Sequence, residues 1–559
     1  MSARAIVLSV ATLGYSTFIA RTAFLVDGRL HVTLFDDAMI SMTYARNLAE
    51  GHGLRWNAGE PAVEGFSNLL WTLVMAALHR LGLPDAWVSL PLMIVGALVL
   101  LAIVWLSARL GDILAGERDS RAGLYAAVLA AACYPLIYWT LRGMEVGLVA
   151  LFTMLLLWAL LDEGPRLQWR WGAAVLATMA LTLTRDDGVV PVAAICGATL
   201  LAGDGSGTRR LALGCLGVLA AAKAAHLGWR YSYYGELVPN TYYLKLTGVS
   251  SMARAWAGLV AWLSVVLRQI GPLVVPAVMA VAGGGDRRLL IVSAPFAALS
   301  AYSISVGGDA WEYFNFANRY LTAGLPPLCV LAGLAIARQT SATVLAMALG
   351  VVMVAGGMWD LAEKVTLPYV ATPTLAWGIG MILFGGILVG RAFRATSPVA
   401  LTAGVLLTMV ILIGNGRPYG RWLLQNAHAM ENDTLVTRLG VAIRETTTED
   451  ASVAAYLAGS TPYFARRRSI DLFGKSDPHV ARLEATSLHP GHNKVDLPYS
   501  LELEPDVVVT FAEAPPETRM QLEARGYVRL CAALWAREKS RAVDRVGLTR
   551  RCRSLEGES

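Results

Sequence analysis

Phe35-Asp36-Asp37-Ala38-Met39-Ile40-Ser41 stands just after the first apolar segment and opens a polar, glycine-rich loop that runs to about Gly65. Two adjacent carboxylates at the mouth of a membrane span are unfavourable unless they have a task there. Three tasks suit them: binding a cation, taking a proton from a hydroxyl, or capping the helix that follows. Asp is a good N-cap and is favoured at a helix N-terminus, and residues 38–45 read as a short helix. The local sequence leaves capping and chemistry both open.

The composition sets the setting. The chain has 559 residues, 55% hydrophobic and 16% charged, with a mean hydropathy of +0.51; a soluble chain carries about a quarter charged residues. This is a polytopic membrane protein. The formal net charge of +6 is spread over short loops with no long basic block, which argues against nucleic acid as a partner and for charges that set orientation. Of six cysteines, Cys133, Cys196, Cys215 and Cys329 lie in apolar segments, while Cys531 and Cys552 lie in the polar tail and can pair in an oxidising compartment. The absence of any Cys-x-x-Cys argues against a zinc ribbon.

Outward from the first loop, apolar stretches of spanning character predict eleven to thirteen transmembrane helices. The first, over residues 5–20, is read as a retained span rather than a signal peptide. The others are 86–108, 122–140, 146–161, 171–184, 188–202, 211–228, 270–282, 289–306, 321–337, 342–359, 375–390 and 398–414. Stretches 66–81 and 255–266 are expected to lie at the interface. With that reading, Arg109, Arg118, Arg121, Arg166, Arg170, Arg209, Arg210, Arg287, Arg288, Arg338, Arg391 and Arg394 all fall on one side, a positive-inside pattern with the N-terminus cytoplasmic. The division predicted is a membrane domain over 1–416, with its first extracytoplasmic loop at about 27–65, and a soluble extracytoplasmic α/β domain over 417–559. Strand-like runs 452–457 and 506–510 and a helical stretch 516–525 mark the latter.

On this topology the unusual polar motifs gather on the side opposite the arginine loops. They are Asp36-Asp37, Arg142-Gly143-Met144-Glu145, Thr184-Arg185-Asp186-Asp187-Gly188, the stretch from Tyr233 to Lys245, and the stretch from Gly307 to Arg319. Each has a plain reading, as a tight turn with Arg185 paired to Asp186 or as an aromatic belt. Their convergence at one membrane face argues for an active site. Arg185, Arg319 and Lys245 are candidates to neutralise a phosphate. Glu145, Asp186 and Asp309 are candidates to hold hydroxyls, and Tyr234, Asn240, Tyr243 and Trp311 complete the substrate-binding set. A lipid phosphate suits such a pocket, with its tail in the bilayer. No dinucleotide or P-loop glycine pattern appears.

The run from Asp36 to Glu60, continued by Val63-Glu64-Gly65-Phe66-Ser67-Asn68, resembles the GT-C membrane glycosyltransferases and, more narrowly, the terminal arabinofuranosyltransferase group typified by AftB. The likeness continues in Gly143-Met144-Glu145, Thr184 to Gly188, Tyr233 to Lys245, Gly307-Gly308-Asp309, Ile470 to Pro478 and Pro490 to Lys494. The resemblance implies a bacterial inner-membrane enzyme that moves D-arabinofuranose from a polyprenyl phosphate to a cell-envelope glycan on the extracytoplasmic side, with Asp36 or Asp37 as the acidic centre. Where relatives read Thr-Arg-Pro-(Asp/Glu)-Gly this chain has Thr-Arg-Asp-Asp-Gly, and Val146 stands where Thr or Ser is usual; these departures bear on the sugar and acceptor. The expected general base is Asp36 ahead of Asp37. No cofactor is assigned beyond a divalent cation at the Asp36/Asp37 pair as an alternative way of balancing the phosphate. The resemblance also implies net retention, which leaves a base, a covalent nucleophile, or departure and attack on one face as ways to use the pair. His489 and His492 near Asp496 give a weak metal hint, Arg466-Arg467-Arg468 reads as a solvated face, and the tail is expected to position the acceptor. Transfer of another lipid-linked sugar to protein or lipopolysaccharide, and a lipid-linked sugar flippase, are the alternatives.

Overall fold

A computed structural model describes residues 1–557 apart from 119, 163, 165–166, 284, 312–317, 339–341, 367–374, 393–397, 414–419, 421, 423, 425–429 and 512–513. The expected boundary at 416/417 and the arginines 166 and 394 lie outside the described residues. Helix α1 (Ala3–Ala20) starts at Ser2, whose hydroxyl accepts from the Ala5 amide, and leads into an antiparallel hairpin, β1 (Ala23–Val26) and β2 (Arg29–Val32). Helices α2 (Asp36–Ala49) and α3 (Leu69–His79) are short and lie between the membrane bundle and the tail. The bundle then runs through α4 (Ser89–Ala115), α5 (Arg121–Ala131), α6 (Tyr134–Leu141), α7 (Val146–Leu161), α8 (Leu167–Thr184), α9 (Val189–Ala202) and α10 (Ser206–Tyr234). After the short α11 (Asn240–Leu246) come α12 (Ser251–Val265), α13 (Gly271–Gly283), α14 (Arg288–Ser305), α15 (Arg319–Ala323), α16 (Leu325–Ala337), α17 (Ala342–Thr366), α18 (Leu375–Ala392) and α19 (Pro398–Ile413).

Among the described residues five helices are long and apolar enough to cross a bilayer alone, and six if a bent pair counts as one. Six further apolar helices have 10–17 residues. The sequence reading is corrected at two places, both by proline. The expected span 122–140 is a pair, α5 and α6, bent by 52°, because Pro135 has no amide to donate to the preceding turn. The expected interfacial stretch 255–266 and the expected span 270–282 are one continuous helix, Ser251–Gly283. Pro272 cannot donate to the carbonyl four residues back. The helix widens there into a π turn (Val266–Ile270), with the Gly271 amide reaching the Val266 carbonyl.

The short basic loops meet at one end of the bundle. Arg4 holds Asp112 with two hydrogen bonds of 2.7 and 2.6 Å, Arg109 lies 3.4 Å from Asp162, and Arg288 reaches the Ile113 carbonyl. At the other end sits the tail. Helix α20 (Met430–Thr446) precedes a five-stranded sheet of order β4-β3-β5-β7-β6, in which β3 (Ser452–Ala455) pairs in parallel with β4 (Arg468–Asp471) and β5 (Val507–Val509). Strands β7 (Leu534–Arg537) and β6 (Tyr527–Cys531) close the sheet antiparallel. Every residue of β3 and β5 is buried, as befits strands covered on both faces. Cys531 and Cys552 are joined in a disulfide.

The tail is fastened to the bundle by buried polar contacts. Arg142, fully buried, donates to the Thr33 and Leu34 carbonyls and pairs with Asp433 of α20. The Trp56 indole donates to the Ser469 carbonyl at 2.9 Å, and Lys494 donates to the Tyr243 and Ala481 carbonyls. Arg466 and Arg468 are exposed, as a solvated face predicts, and form ion pairs at the rim of this seam, while Arg467 bonds Arg444 and Thr447 within the tail. Arg466 grips Asp85 at 2.6 and 2.8 Å and Glu50 at 3.0 Å, while Arg468 meets Glu60 at 2.6 Å.

Candidate active site

Helix α2 begins with Phe35 as its N-cap, in extended backbone and without a side-chain cap. Neither aspartate caps its own helix. Asp36, 6% exposed, turns towards the tail and accepts from the Gly459 and Ser460 amides at 3.1 and 2.8 Å. A Cβ on Gly459 would stand 1.9 Å from the Asp36 carbonyl oxygen, so glycine is needed for this approach. Burial pushes the Asp36 carboxyl up to about 6, against the opposing pull of the two amides and Lys475.

Asp37 faces the other way, into a cavity of about 70 Å³ lined also by Ser67, Asn68, Glu145, Arg185, Lys245 and Arg319, and by Lys475 and His492 from the tail. Lys475 Nζ donates to Asp37 Oδ1 at 2.5 Å, and Arg319 to Oδ2 at 2.9 Å. Burial alone would raise the Asp37 carboxyl, but the two cations beside it hold it well below the usual carboxylate range. Asp37, and not Asp36, lines this cavity.

Both cations are built from local rules. Asn318 caps α15 with its side chain on the Leu321 amide, which fixes Arg319 at the first turn. Arg319 then forks onto Asp309 with two bonds of 2.6 Å and keeps its third nitrogen for Asp37. Lys475 rides a turn wound round the buried Asp471, whose oxygens accept from the Phe473, Gly474 and Ser476 amides. From the bundle side Asn240 braces the same turn, its amide donating to the carbonyls of Gly474, Lys475 and Asp477. Asn240 is thus a positioning residue and does not line either cavity.

A second cavity, about 200 Å³, shares Ser67, Arg185, Thr241, Lys245 and Pro490 with the first. Its far wall is apolar, with Leu227, Leu237, Val238, Leu246 and Val306, and faces the flank of α10, α11 and α14. Its polar wall carries two ion-pair nets. Arg185 meets Glu145 at 2.6 Å and Asp187 at 2.7 and 3.1 Å, so its partner is Asp187 rather than Asp186. Asp186 instead meets Lys223 at 2.6 Å and Arg230 at 2.9 Å, and Arg230 also meets Glu64 at 2.6 Å. Lys245 lines both cavities and makes no hydrogen bond or ion pair with the described residues; it acts on Asp309 through its charge.

Of the expected site residues, Asp37, Glu145, Arg185, Asp186, Lys245, Asp309 and Arg319 come together on these cavities. Trp311 stands behind them, edge-on to Phe35 at 4.9 Å and to His492 at 5.6 Å. Besides Asp36 and Asn240, two more are placed elsewhere. Tyr234 donates to the Leu54 carbonyl and packs on the first loop, and Tyr243 bonds Glu236 beneath the guanidinium of Arg482. Sequence reasoning missed Lys475 and the Glu64–Arg230–Lys223 set. Glu64 and Lys475 stand within quoted motifs, but a lone charge in a loop gives no sign of its partner. Of the three residues in the histidine hint, Asp496 turns to a different histidine. Asp496 pairs with His479 at 2.9 Å, and no metal-holding cluster exists among the described residues. Asp36 and Asp37 diverge, the first onto two amides and the second onto an ammonium and a guanidinium, so the pair does not fit a divalent cation.

Three comparisons bear on this architecture. A family profile described as Domain of unknown function (DUF8728) matches residues 422–551, most of the tail. Curated proteins give no match. Among solved structures, ArnT from Cupriavidus metallidurans bound to undecaprenyl phosphate is similar over 95% of this chain and 97% of its own, at 14% identity and a TM-score of 0.59. AglB, an archaeal oligosaccharyltransferase from Archaeoglobus fulgidus in complex with an inhibitory peptide and a dolichol-phosphate, covers 90% of this chain and 69% of its own at 11% identity and TM-score 0.49. Arabinosyltransferase EmbB from Mycobacterium smegmatis covers 74% and 41%, at 15% identity and TM-score 0.38. Only the first likeness is close enough to bear on the fold. The fold is similar to that of the ArnT structure, with a bundle of apolar helices and a C-terminal α/β domain.

Proposed function

We propose that the chain is a polyprenyl-phosphate-dependent glycosyltransferase with Asp37 as its reactive carboxylate, taking D-arabinofuranose as the sugar and a cell-envelope glycan as the acceptor. The observation that carries the reading is the cavity at Asp37, where Lys245 and Lys475 stand with Arg185 and Arg319; Asp187 and Asp309 pair with the two arginines, and Lys245 has no partner among the described residues. A lysine without an acidic partner, set between an arginine-bearing wall and an apolar flank, suits a lipid phosphate, whose tail lies along Leu227, Leu237 and Val306. The sugar assignment rests on the loop motifs shared with the terminal arabinofuranosyltransferases. The orientation, with this site outside the cytoplasm, rests on the arginine loops at the opposite end and is in keeping with the tail disulfide.

In the reaction the bond between the anomeric carbon and the phosphate oxygen breaks, its electrons leaving with the polyprenyl phosphate. A bond forms from that carbon to the acceptor oxygen, and Asp37 takes the acceptor's proton. The phosphate gains a negative charge as it leaves, and Lys245 and Lys475 are placed to meet it. Asp37 is a weak base while Lys475 and Arg319 both hold it. A phosphate that draws Lys475 away raises its basicity, so the donor itself readies the carboxylate. Arg319, forked on Asp309, stays as the fixed member.

The test uses purified protein in lipid nanodiscs, synthetic polyprenyl-phosphoryl-arabinofuranose and a short arabinan, with product read by mass and linkage analysis. Transfer by wild type, lost in Asp37→Asn and kept in a folded Asp36→Asn variant, is the expected result. Transfer only from other polyprenyl-phosphate sugars would overturn the sugar assignment and leave the class. Lipid donor crossing the bilayer with no transfer would overturn the class.

A further inference from the structure

The tail carries a line of aromatic rings that the chemistry at Asp37 does not use. It starts at Trp311, passes to His492 at 5.6 Å, and from His492 to Phe473 at 5.1 Å. Phe473 touches Tyr456 at 5.2 Å, and Tyr456 stacks on Phe511 at 5.4 Å with their planes 26° apart. The inner members are covered: Phe473 is buried, and His492 lines the Asp37 cavity. The outer end is open, with Tyr456 half-buried and Phe511 44% exposed. Tyr456, Phe473 and Phe511 follow the carboxyl ends of β3, β4 and β5. That edge of a parallel sheet is where open α/β domains take ligands. Burial and the neighbouring Lys475 hold His492 down at about 3, so the ring nearest the cavity is neutral and suited to packing on an uncharged ligand.

We infer that Tyr456 and Phe511 form a distal acceptor subsite, on which a neutral glycan strand stacks while its end reaches Asp37. The inference rests on the glycosyltransferase reading for its occupant and deepens it. Sugar rings present flat C–H faces that pack on aromatic rings. A row with His492 on the Asp37 cavity and Phe511 in solvent has the direction a growing strand needs. A charged acceptor has no counterpart in the row itself, which holds no ionised group.

The test takes the full-length protein in nanodiscs with arabinan oligosaccharides of increasing length. Two readouts are used: steady-state KM and kcat, and saturation-transfer NMR of oligosaccharide binding without donor. For Phe511→Ala the expected result is a rise of about tenfold in KM for long acceptors only. NMR contacts are lost at the inner sugars of the strand, and Phe511→Trp restores both. Equal loss on short and long acceptors, or a fall in kcat with KM unchanged, would overturn the subsite. Should wild type transfer nothing to arabinan, the binding arm is repeated with mannan, glucan and lipopolysaccharide-core oligosaccharides. Binding of one of them that Phe511→Ala abolishes sustains the subsite while the arabinan reading fails. Binding of none at millimolar concentration overturns the subsite itself.

Discussion

Replacing Lys475 by Met removes the ammonium from Asp37 and keeps the length of the side chain. At the 2.5 Å separation seen here, an effective dielectric of about 20 gives a gross attraction of ~7 kcal/mol. Much of this offsets the burial of both groups, and Arg319 remains at 2.9 Å, so Asp37 is not left bare. Removing one partner of a buried pair is destabilising by about 3–5 kcal/mol when no other partner exists; with Arg319 in place the folded protein is expected to lose less. Turnover has no such substitute, because Arg319 is already forked on Asp309. Loss of one preorganised cation from a developing anion lowers kcat by about 10²–10³. The assay is steady-state transfer from the lipid donor alongside thermal melting, with Asn240→Ala as a control that loosens the Lys475 turn while keeping the charge. The expected result is a Lys475→Met variant that melts near wild type but turns over at least a hundredfold more slowly, with partial recovery in Lys475→Arg. Activity within threefold of wild type would refute the reasoning, as would equal loss of activity and melting temperature in Lys475→Met and Asn240→Ala.

Other expectations follow from the same contacts. Lys245→Ala, which removes the cation unpaired among the described residues, raises KM for the donor by about tenfold with little change in melting, since a hydrogen bond to a charged group contributes about 1.5–3 kcal/mol; an unchanged donor KM refutes it. Gly459→Ala places a methyl against the Asp36 backbone and is expected to weaken tail docking by about 1–3 kcal/mol, read as faster proteolytic release of the tail. Asp36 and Asp471 both have carboxyls raised by burial to about 6, from 3.8 in an unfolded chain. Between those values the native state keeps protons that the unfolded chain has lost. Stability therefore falls as pH rises through roughly 4 to 6, by up to about 3 kcal/mol for each group. Melting at pH 4.5 and 6.5 checks this, and Asp471→Asn is expected to flatten the slope.

Hydropathy made the membrane class legible, and the alternation of bare arginine loops with acidic and aromatic ones made one end of the bundle legible as the site. Five distant loops do converge, and seven of the expected residues line the two cavities. The division of labour within Asp36-Asp37 was not legible, because neighbouring residues in a first helical turn point apart by geometry alone. What each one meets is set by Gly459, Ser460 and Lys475, more than 400 positions away. Likewise Thr184 to Gly188 announced an arginine between acids but not that Arg185 would choose Asp187 and Glu145 and leave Asp186 to α10. The merging of 255–266 with 270–282 was within reach of sequence rules, since a proline at 272 strips one hydrogen bond and permits a π turn as readily as a break. Two of the five tail strands, β3 and β5, were found by their apolar runs, and β4, β6 and β7 were not. The seam that locks the tail down was hidden, because Arg142 and Trp56 give no sign in the sequence of their partners Asp433 and Ser469.

The Lys475–Asp37 contact joins positions 438 residues apart in the chain. During synthesis at about 5–20 residues per second, on the order of 20–90 s separates the emergence of the acid from that of its lysine. The pocket therefore stands open and lacks one of its cations while the bundle inserts. It closes only when the last domain has folded against α2. A chain whose last domain has yet to fold has every helix of the bundle and still lacks this ion pair, so the final step of folding is the one that completes the pocket.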